Sequence, residues 1–244
     1  MLVQDFLTLL DEVSPFSLQA SWDNSGLNLG NPQQDVKNIY TTLEIDINQA
    51  KNLKPNSLVI THHPLFFSSF KTINTQNYPH NIASILLSKN CSLIAMHTNF
   101  DHTHLNHFFA SNILGFDNLA KQDFALFTQI RVISFDSLLI RIKKALHTPK
   151  LKALKASEKI SCVYIVCGSG MSALPFVPSH SQSCLITGDI KHHDAMEAYN
   201  LGISLVDVGH FESEIFFAQI MSEILQNFGY EVIMQTFENP LKFY

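Results

Sequence analysis

His62 and His63 stand side by side after an apolar, β-type run, in Val59-Ile60-Thr61-His62-His63-Pro64. Neutral imidazole is the commonest protein metal ligand, and two in succession at a strand end can address two metals rather than one. His97 precedes Asp101 by four residues, and His210 precedes Glu214 by four. Each of these three islands follows a predicted strand. If a helix begins just after Gly209, His210 and Glu214 share one face of its first turn, and the carboxylate can bridge two cations. Asp101, beyond the turn Thr98-Asn99-Phe100, is placed for the same work, with His97 either a ligand or a partner that orients one. Taken singly, each island has a plainer reading: one exposed and one buried histidine at 62–63, a strand-end histidine beside an N-capping aspartate at 97–101, a capping histidine and an exposed glutamate at 210–214. Together they predict a site for two divalent metals that activates water. Imidazole and carboxylate without thiolate suit Zn, Mn, Fe(II), Co or Ni and disfavour a pure Mg or Ca cage. Such a pair implies hydrolysis but does not name the bond.

Other residues invite the same question. His102, His104 and His107 spread around a helix start and read mainly as surface residues. His192-His193 follow Gly188-Asp189 at the start of a predicted helix, so His193 or Asp194 could face the same cleft. The turn Gly168-Ser169-Gly170 could aim backbone N–H groups at an anion, although a plain tight turn is the simpler reading. Cys91, Cys162, Cys167 and Cys184 have no zinc-like spacing, and Cys162 and Cys167 should face opposite sides of a strand. Buried, reduced thiols in a cytoplasmic protein are expected.

The elements that must position these side chains alternate between helical and strand periods. Residues 1–13 place Leu2, Phe6, Leu9, Leu10 and Val13 on one helical face, which stops near Pro15. Strands are expected at 39–45, 57–61, 92–96, 130–135, 161–167, 184–187, 203–208 and 231–235. Helices are expected after Asp46, around 83–87, over 105–114 with Gly115 closing it, from Asp136 as cap to Leu146, over 190–200 and over 211–228. Repeated βα units imply an α/β protein with largely parallel sheet. Ligands then sit outside the carboxyl ends of strands, where all three islands fall. A division into domains 1–127 and 128–244 is expected, the second supplying His210 and Glu214. The Pro/Ser-rich stretch 174–183 reads as an exposed loop.

Composition bounds the rest. The chain has 244 residues, 46% of them hydrophobic and 15% charged, with 19 Phe. That is enough for one large or two smaller cores and excludes a disordered chain. A net charge of −5 argues against a nucleic-acid footprint, which needs clustered Lys and Arg. The basic stretch from Arg141 to Lys159 reads as the solvated face of a helix. Asp5, Asp11 and Glu12 interrupt the first segment, so no secretory leader is expected. No apolar run approaches the roughly 20 residues of a membrane-spanning helix.

Five strings bring a family into view: SWDNSGLNLG at 21–30, ITHHPLFF at 60–67, AMHTNFD at 95–101, TGDIKHHDA at 187–195 and LGISLVDVGHFESE at 201–214. They run through most of the chain and resemble the GTP cyclohydrolase 1 type 2 family, the Nif-three-like dinuclear-metal proteins. The resemblance implies two α/β domains with mostly parallel mixed sheets and a metal site in the cleft at the strand ends. It implies metal ligands at His62, His63, Asp101, His210 and Glu214, with His97 at or against the site. It also implies a ring-shaped homohexamer with the metals facing an internal cavity. His107 stands where the family often has Asp, and His192-His193 where Tyr-His is more usual, which puts the polar lining in question more than the metals. For Trp22, Asp23 and Asn24, packing and turn hydrogen bonds are favoured over substrate contact.

The activity implied is that of a metal-dependent cyclohydrolase acting on GTP. Hydroxide on the metal would attack C8 of guanine, release formate and lead to 7,8-dihydroneopterin 3'-triphosphate. His97 or His193 could shuttle protons, since imidazole titrates near neutrality. No motif in the sequence reads guanine. A dinuclear phosphoesterase acting on nucleotides or phosphorylated metabolites, or a non-enzymatic metal-binding regulatory scaffold, would use the same ligands.

Overall fold

The computed structural model describes residues 1–242. In chain order the elements begin with α1 (Val3–Val13), β1 (Gly26–Leu29), β2 (Asn38–Thr42), α2 (Ile47–Asn52), β3 (Ser57–Thr61), α3 (His80–Ser88) and β4 (Ser92–Ala95). A helical run follows: α4 (Thr98–Phe100), a π-helical turn (Asp101–Leu105), α5 (Asn106–Phe108) and a second π-helical turn (Phe109–Ile113). Next come β5 (Ala120–Gln122), β6 (Ala125–Ser134), α6 (Phe135–Ala145), β7 (Lys152–Leu154), β8 (Lys159–Ile165) and β9 (Ser183–Thr187). The last are α7 (His192–Asn200), β10 (Ser204–Asp207), α8 (His210–Glu214), α9 (Phe217–Asn227) and β11 (Val232–Met234).

The chain forms two compact units, one of residues 1–100 with the chain from Ile215 on, the other of Asp101–Glu214. This differs from the expected single boundary between 127 and 128, and specific bonds explain why. At the C-terminus, β11 pairs in parallel with β2, Val232 opposite Ile39. The Thr41 hydroxyl meets Ala218 O at 3.2 Å and Ser222 Oγ at 2.6 Å, tying α9 to the same strand. The run from Asp101 is held in the second unit by buried Asn106. Its amide donates to Phe124 O at 3.1 Å, and its oxygen accepts from Cys167 N at 2.7 Å.

The first unit carries a sheet in the order β1-β4-β3-β2-β11. All neighbours in it are parallel except the edge strand β1, which runs antiparallel to β4. Parallel strands covered on both faces read as continuous apolar runs, and β3 is buried along its whole length. Tyr40, Ile45, Val59, Ile82, Leu86 and Leu93 meet in the core on one side of the sheet. Full burial of a side chain such as Leu86 contributes about 1.5–3 kcal/mol. Asp46 caps α2 as expected: its carboxylate accepts from Gln49 N at 2.7 Å while Gln49 Oε1 accepts from Asp46 N at 3.0 Å.

The second unit has the order β5-β6-β8-β9-β10-β7, with β8, β9 and β10 parallel and the flanking strands antiparallel. Tyr164, Leu174, Leu185, Ile203 and Leu205 form its core. Two local expectations are corrected. Ser134, not Asp136, caps α6, accepting from Ser137 N at 3.1 Å. The single helix expected over 211–228 is broken into α8 and α9, where the chain passes from one unit to the other.

Strand ends now gather the site residues. In the first unit Thr61 of β3 lies opposite Ala95 of β4, so His62-His63 and His97 leave adjacent parallel strands. In the second unit the parallel neighbours β8, β9 and β10 end at Ile165, Thr187 and Asp207. Gly168, Asp189 and His210 therefore emerge beside one another. Among the described residues no helix is long and apolar enough to cross a membrane.

Candidate metal centre

In the first unit His62, His63 and His97 each offer a ring nitrogen, and these nitrogens all lie within 4.8 Å of one another. Their ring centroids are 5.0–5.3 Å apart. His62 is fully buried and His97 nearly so. Three like imidazoles held this close are explained by what holds their far edges. His62 Nδ1 lies 2.9 Å from the Met96 carbonyl, His63 Nδ1 2.6 Å from Glu44 Oε1, and His97 Nδ1 2.8 Å from Asp23 Oδ1. Each partner can only accept, so each Nδ1 carries a proton, and in the neutral ring the lone pair is on Nε2. Metal-ligating histidines are oriented by this kind of outer hydrogen bond.

Asp23 is the hub of this half. Beyond His97 its carboxylate accepts from Asn24 N at 2.7 Å, Thr98 N at 3.0 Å, Ser25 Oγ at 3.1 Å and the Thr98 hydroxyl. Burial by itself would raise this carboxyl's pKa. The hydrogen bond and charge of His97, with Thr98 and Asn24, outweigh it and hold the group far below the usual carboxylate range. The turn bonds expected of this segment are present, and the reach to His97 is additional. Trp22 departs from the packing expectation: it is 63% exposed, with its ring edge-on to His97 at 5.9 Å.

The second unit holds a group of its own. His210 Nδ1 lies 2.7 Å from Asp189 Oδ2, and its Nε2 lies 3.0 Å from Glu214 Oε2. The i,i+4 spacing read from sequence does place both on one face of α8. Glu214 is buried and packs against Gly168. That glycine sits at φ +61°, and a Cβ there would collide with Glu214 Oε1 and come within 3.4 Å of His210 Nε2. The backbone is therefore cut away to admit the carboxylate. The Gly168-Ser169-Gly170 turn is not an anion nest: Gly168 N donates to Ser213 Oγ at 2.9 Å and Gly170 N to Thr187 Oγ1 at 2.8 Å. Asp101 opens the first π-helical turn, a rare geometry that recurs at functional sites. Burial pushes the Cys167 thiol well above its ordinary pKa, and the charges of Asp101 and Glu214 push it further. Both carboxylates thus lie near Cys167, whose buried thiol they help to keep protonated.

Other candidates fall outside these groups. His193 is exposed in the first turn of α7, its ring 5.5 Å from His192. His102 and His104 are half-buried rather than fully on the surface, and burial lowers the pKa of each. His107 is exposed. All four cysteines are buried and free. Sequence reasoning missed the anchoring carboxylates Glu44 and Asp189; their signal was an acidic residue just beyond a strand, as in Thr187-Gly188-Asp189.

The donor set fits a borderline divalent cation: imidazoles held through Nδ1, a buried and a half-buried carboxylate, and no thiolate. The family model Duf34/NIF3 (NGG1p interacting factor 3) matches residues 1–240. A Helicobacter pylori (strain ATCC 700392 / 26695) protein named GTP cyclohydrolase 1 type 2 is 48% identical over 241 residues, 99% of this chain and 98% of the relative. A Campylobacter jejuni protein named GTP cyclohydrolase 1 type 2 homolog is 38% identical over 245 residues, covering both chains fully. Among solved structures, a hypothetical protein of Staphylococcus aureus superposes with a TM-score of 0.86 at 24% identity, over 100% of this chain and 99% of that one. A Bacillus cereus protein related to NIF3 gives 0.82 at 15% identity, over 100% and 99%. These two likenesses establish the fold.

Proposed function

The chain belongs to the Duf34/NIF3 family, and from that premise we propose that it is a metal-dependent hydrolase that converts GTP and water to formate and 7,8-dihydroneopterin 3'-triphosphate. The observation that carries the reading is the common pinning of His62, His63, His97 and His210 through Nδ1, by Met96 O, Glu44, Asp23 and Asp189. In the neutral rings this leaves Nε2 of His62, His63 and His97 as lone-pair donors, while Nε2 of His210 is turned towards Glu214, with Asp101 and Glu214 as the carboxylates. The substrate comes from the names of the curated relatives.

In this reading the first unit offers His62, His63 and His97, and the second unit Asp101, His210 and Glu214, as donors for a pair of divalent metals. When bound, the pair would lower the pKa of water towards neutrality and polarise the purine. The residues of the chain then have distinct duties. Asp23 and Glu44 hold the proton on Nδ1 of His97 and His63 and fix each ring. Asp189 does the same for His210. His193, exposed and unconstrained by these groups, is the proposed proton carrier to the purine-derived nitrogen that is freed when formate departs.

The test is formate release from GTP by purified protein of known metal content, alongside Glu214→Ala. Turnover in the parent and its loss by at least about 100-fold in the variant is the expected result, since bound metal is worth several kcal/mol to such chemistry. About two metals per chain with no formate from GTP would sink the cyclohydrolase reading.

A further inference from the structure

A cavity of about 650 Å³ opens in the first unit, entirely apart from the second unit's residues, and none of the proposed metal ligands lines it. Its wall is aromatic. Phe66 and Phe70 lie with ring centroids 5.0 Å apart, and His80 sits 6.1 Å from the first and 5.0 Å from the second. Ser84 of α3 faces it too. Two further lining residues join it to the histidine cluster. Asp23 holds His97, and Phe67 has its ring 5.5 Å from His97 and 6.4 Å from His63.

His80 makes the cavity more than an apolar dent. Both its ring nitrogens are buried, and neither meets a hydrogen-bonding group among the described residues. Buried polar atoms in native proteins are nearly always matched, so an imidazole packed beside two phenylalanines in a cavity wall asks for a polar partner from outside the fold. A neutral imidazole offers one donor and one acceptor. Phenylalanine faces offer stacking, which serves any planar π-system. The volume lies in the range of small-molecule sites.

We propose that this cavity takes the heteroaromatic base of the substrate nucleotide, with the Phe66–Phe70 pair packed against one side of it and His80 reading its polar edge. The proposal rests on the nucleotide reading above and deepens it: the sequence contains no recognisable guanine motif because the reader is a lone histidine beyond a phenylalanine-rich loop. The exposed apolar side chains Phe67, Phe70 and Ile73 are the rim a ligand would cover.

The chain's single tryptophan, Trp22, adjoins Asp23 in the wall and supplies the assay. Metal-loaded protein is titrated with guanosine 5'-monophosphate and with ribose 5-phosphate, following Trp22 fluorescence. The base should strengthen binding at least tenfold. His80→Leu and, independently, Ser84→Phe, which fills the cavity, should each bring the two ligands to within threefold. Bound metal and ribose 5-phosphate affinity should stay unchanged, which also reports that the variants fold. Equal affinity of the two ligands for the parent protein overturns the proposal, as does a tenfold preference that survives both substitutions. A drop in oligomer mass for Phe70→Ser with base preference intact also overturns it, in favour of a copy–copy contact. The two readings fail separately. Base preference without formate refutes only the cyclohydrolase, whereas formate release with unchanged KM in both variants refutes only the pocket.

Discussion

Replacing Asp23 with Asn tests the architecture most directly, because the two side chains have the same shape and differ in one oxygen and one charge. Asp23 Oδ1 serves His97 Nδ1 and Asn24 N, while Oδ2 serves Thr98 N, the Thr98 hydroxyl and Ser25 Oγ. An amide has a single oxygen. If it stays towards His97, its NH2 faces the Thr98 N–H, donor against donor; if it flips, His97 loses its acceptor. Hydroxyls can rotate away, but Thr98 N and His97 Nδ1 cannot both be satisfied. One lost bond to a charged acceptor costs about 1.5–3 kcal/mol, and the Asp23 side chain has no solvent exposure to soften that. Outer-shell partners of this kind are worth about 10- to 100-fold in metal affinity. Asp23→Asn should therefore lose 10- to 100-fold in chelator-competition titrations and about 2 kcal/mol in urea unfolding of metal-depleted protein.

The pH dependence has a definite sign. The folded-state pKa of Asp23 lies below its ordinary value of 3.8. Its contribution to stability is therefore fully present above that value and drains away as pH falls through and below it. Asp23→Asn should flatten this acid limb while leaving the slope near neutrality alone. Unaltered metal affinity together with an unaltered acid limb would show that the His97–Asp23 pair is incidental.

The other predictions test the second unit. Gly168→Ala places a side chain at φ +61° against Glu214 and His210. The left-handed conformation alone costs about 1–2 kcal/mol, and displacement of Glu214 should lower metal affinity at least tenfold in the same competition assay. His193→Ala should leave metal content unchanged and reduce kcat by about 100-fold, the scale of a lost general acid or base; an unchanged kcat removes His193 from the mechanism. Cys167 is buried and its thiol is pushed well up by burial and by Asp101 and Glu214. Iodoacetamide at pH 8 should leave it unmodified in the native protein and label it in urea, as mass spectrometry of the Cys167 peptide would report.

How much of this was visible beforehand depends on whether the determining interaction is local. The strand before His62-His63 announces itself because a parallel strand covered on both faces reads as a continuous apolar run, as Leu58-Val59-Ile60 does within the fully buried Ser57–Thr61. His210 and Glu214 share a helix turn for the same local reason. The edge strand β1, with Gly26 and Asn28 among its residues and only half-buried throughout, carries no such signal and was missed, as were the short strands β5 and β7. The division into units was illegible because side chains distant in sequence decide it: Thr41 on Ser222, and Asn106 on Cys167. The same limit governs the site. Ligand candidates are conspicuous as histidines at strand ends, but the groups that make them ligands are ordinary acidic residues. Glu44 lies 19 residues from His63, Asp23 lies 74 from His97, and Asp189 lies 21 from His210. An imidazole is poised as a metal donor when its other nitrogen holds the ring proton and donates it in a hydrogen bond to an acceptor. A motif can mark where a ligand stands, but the tautomer that allows it to bind is set by the folded chain.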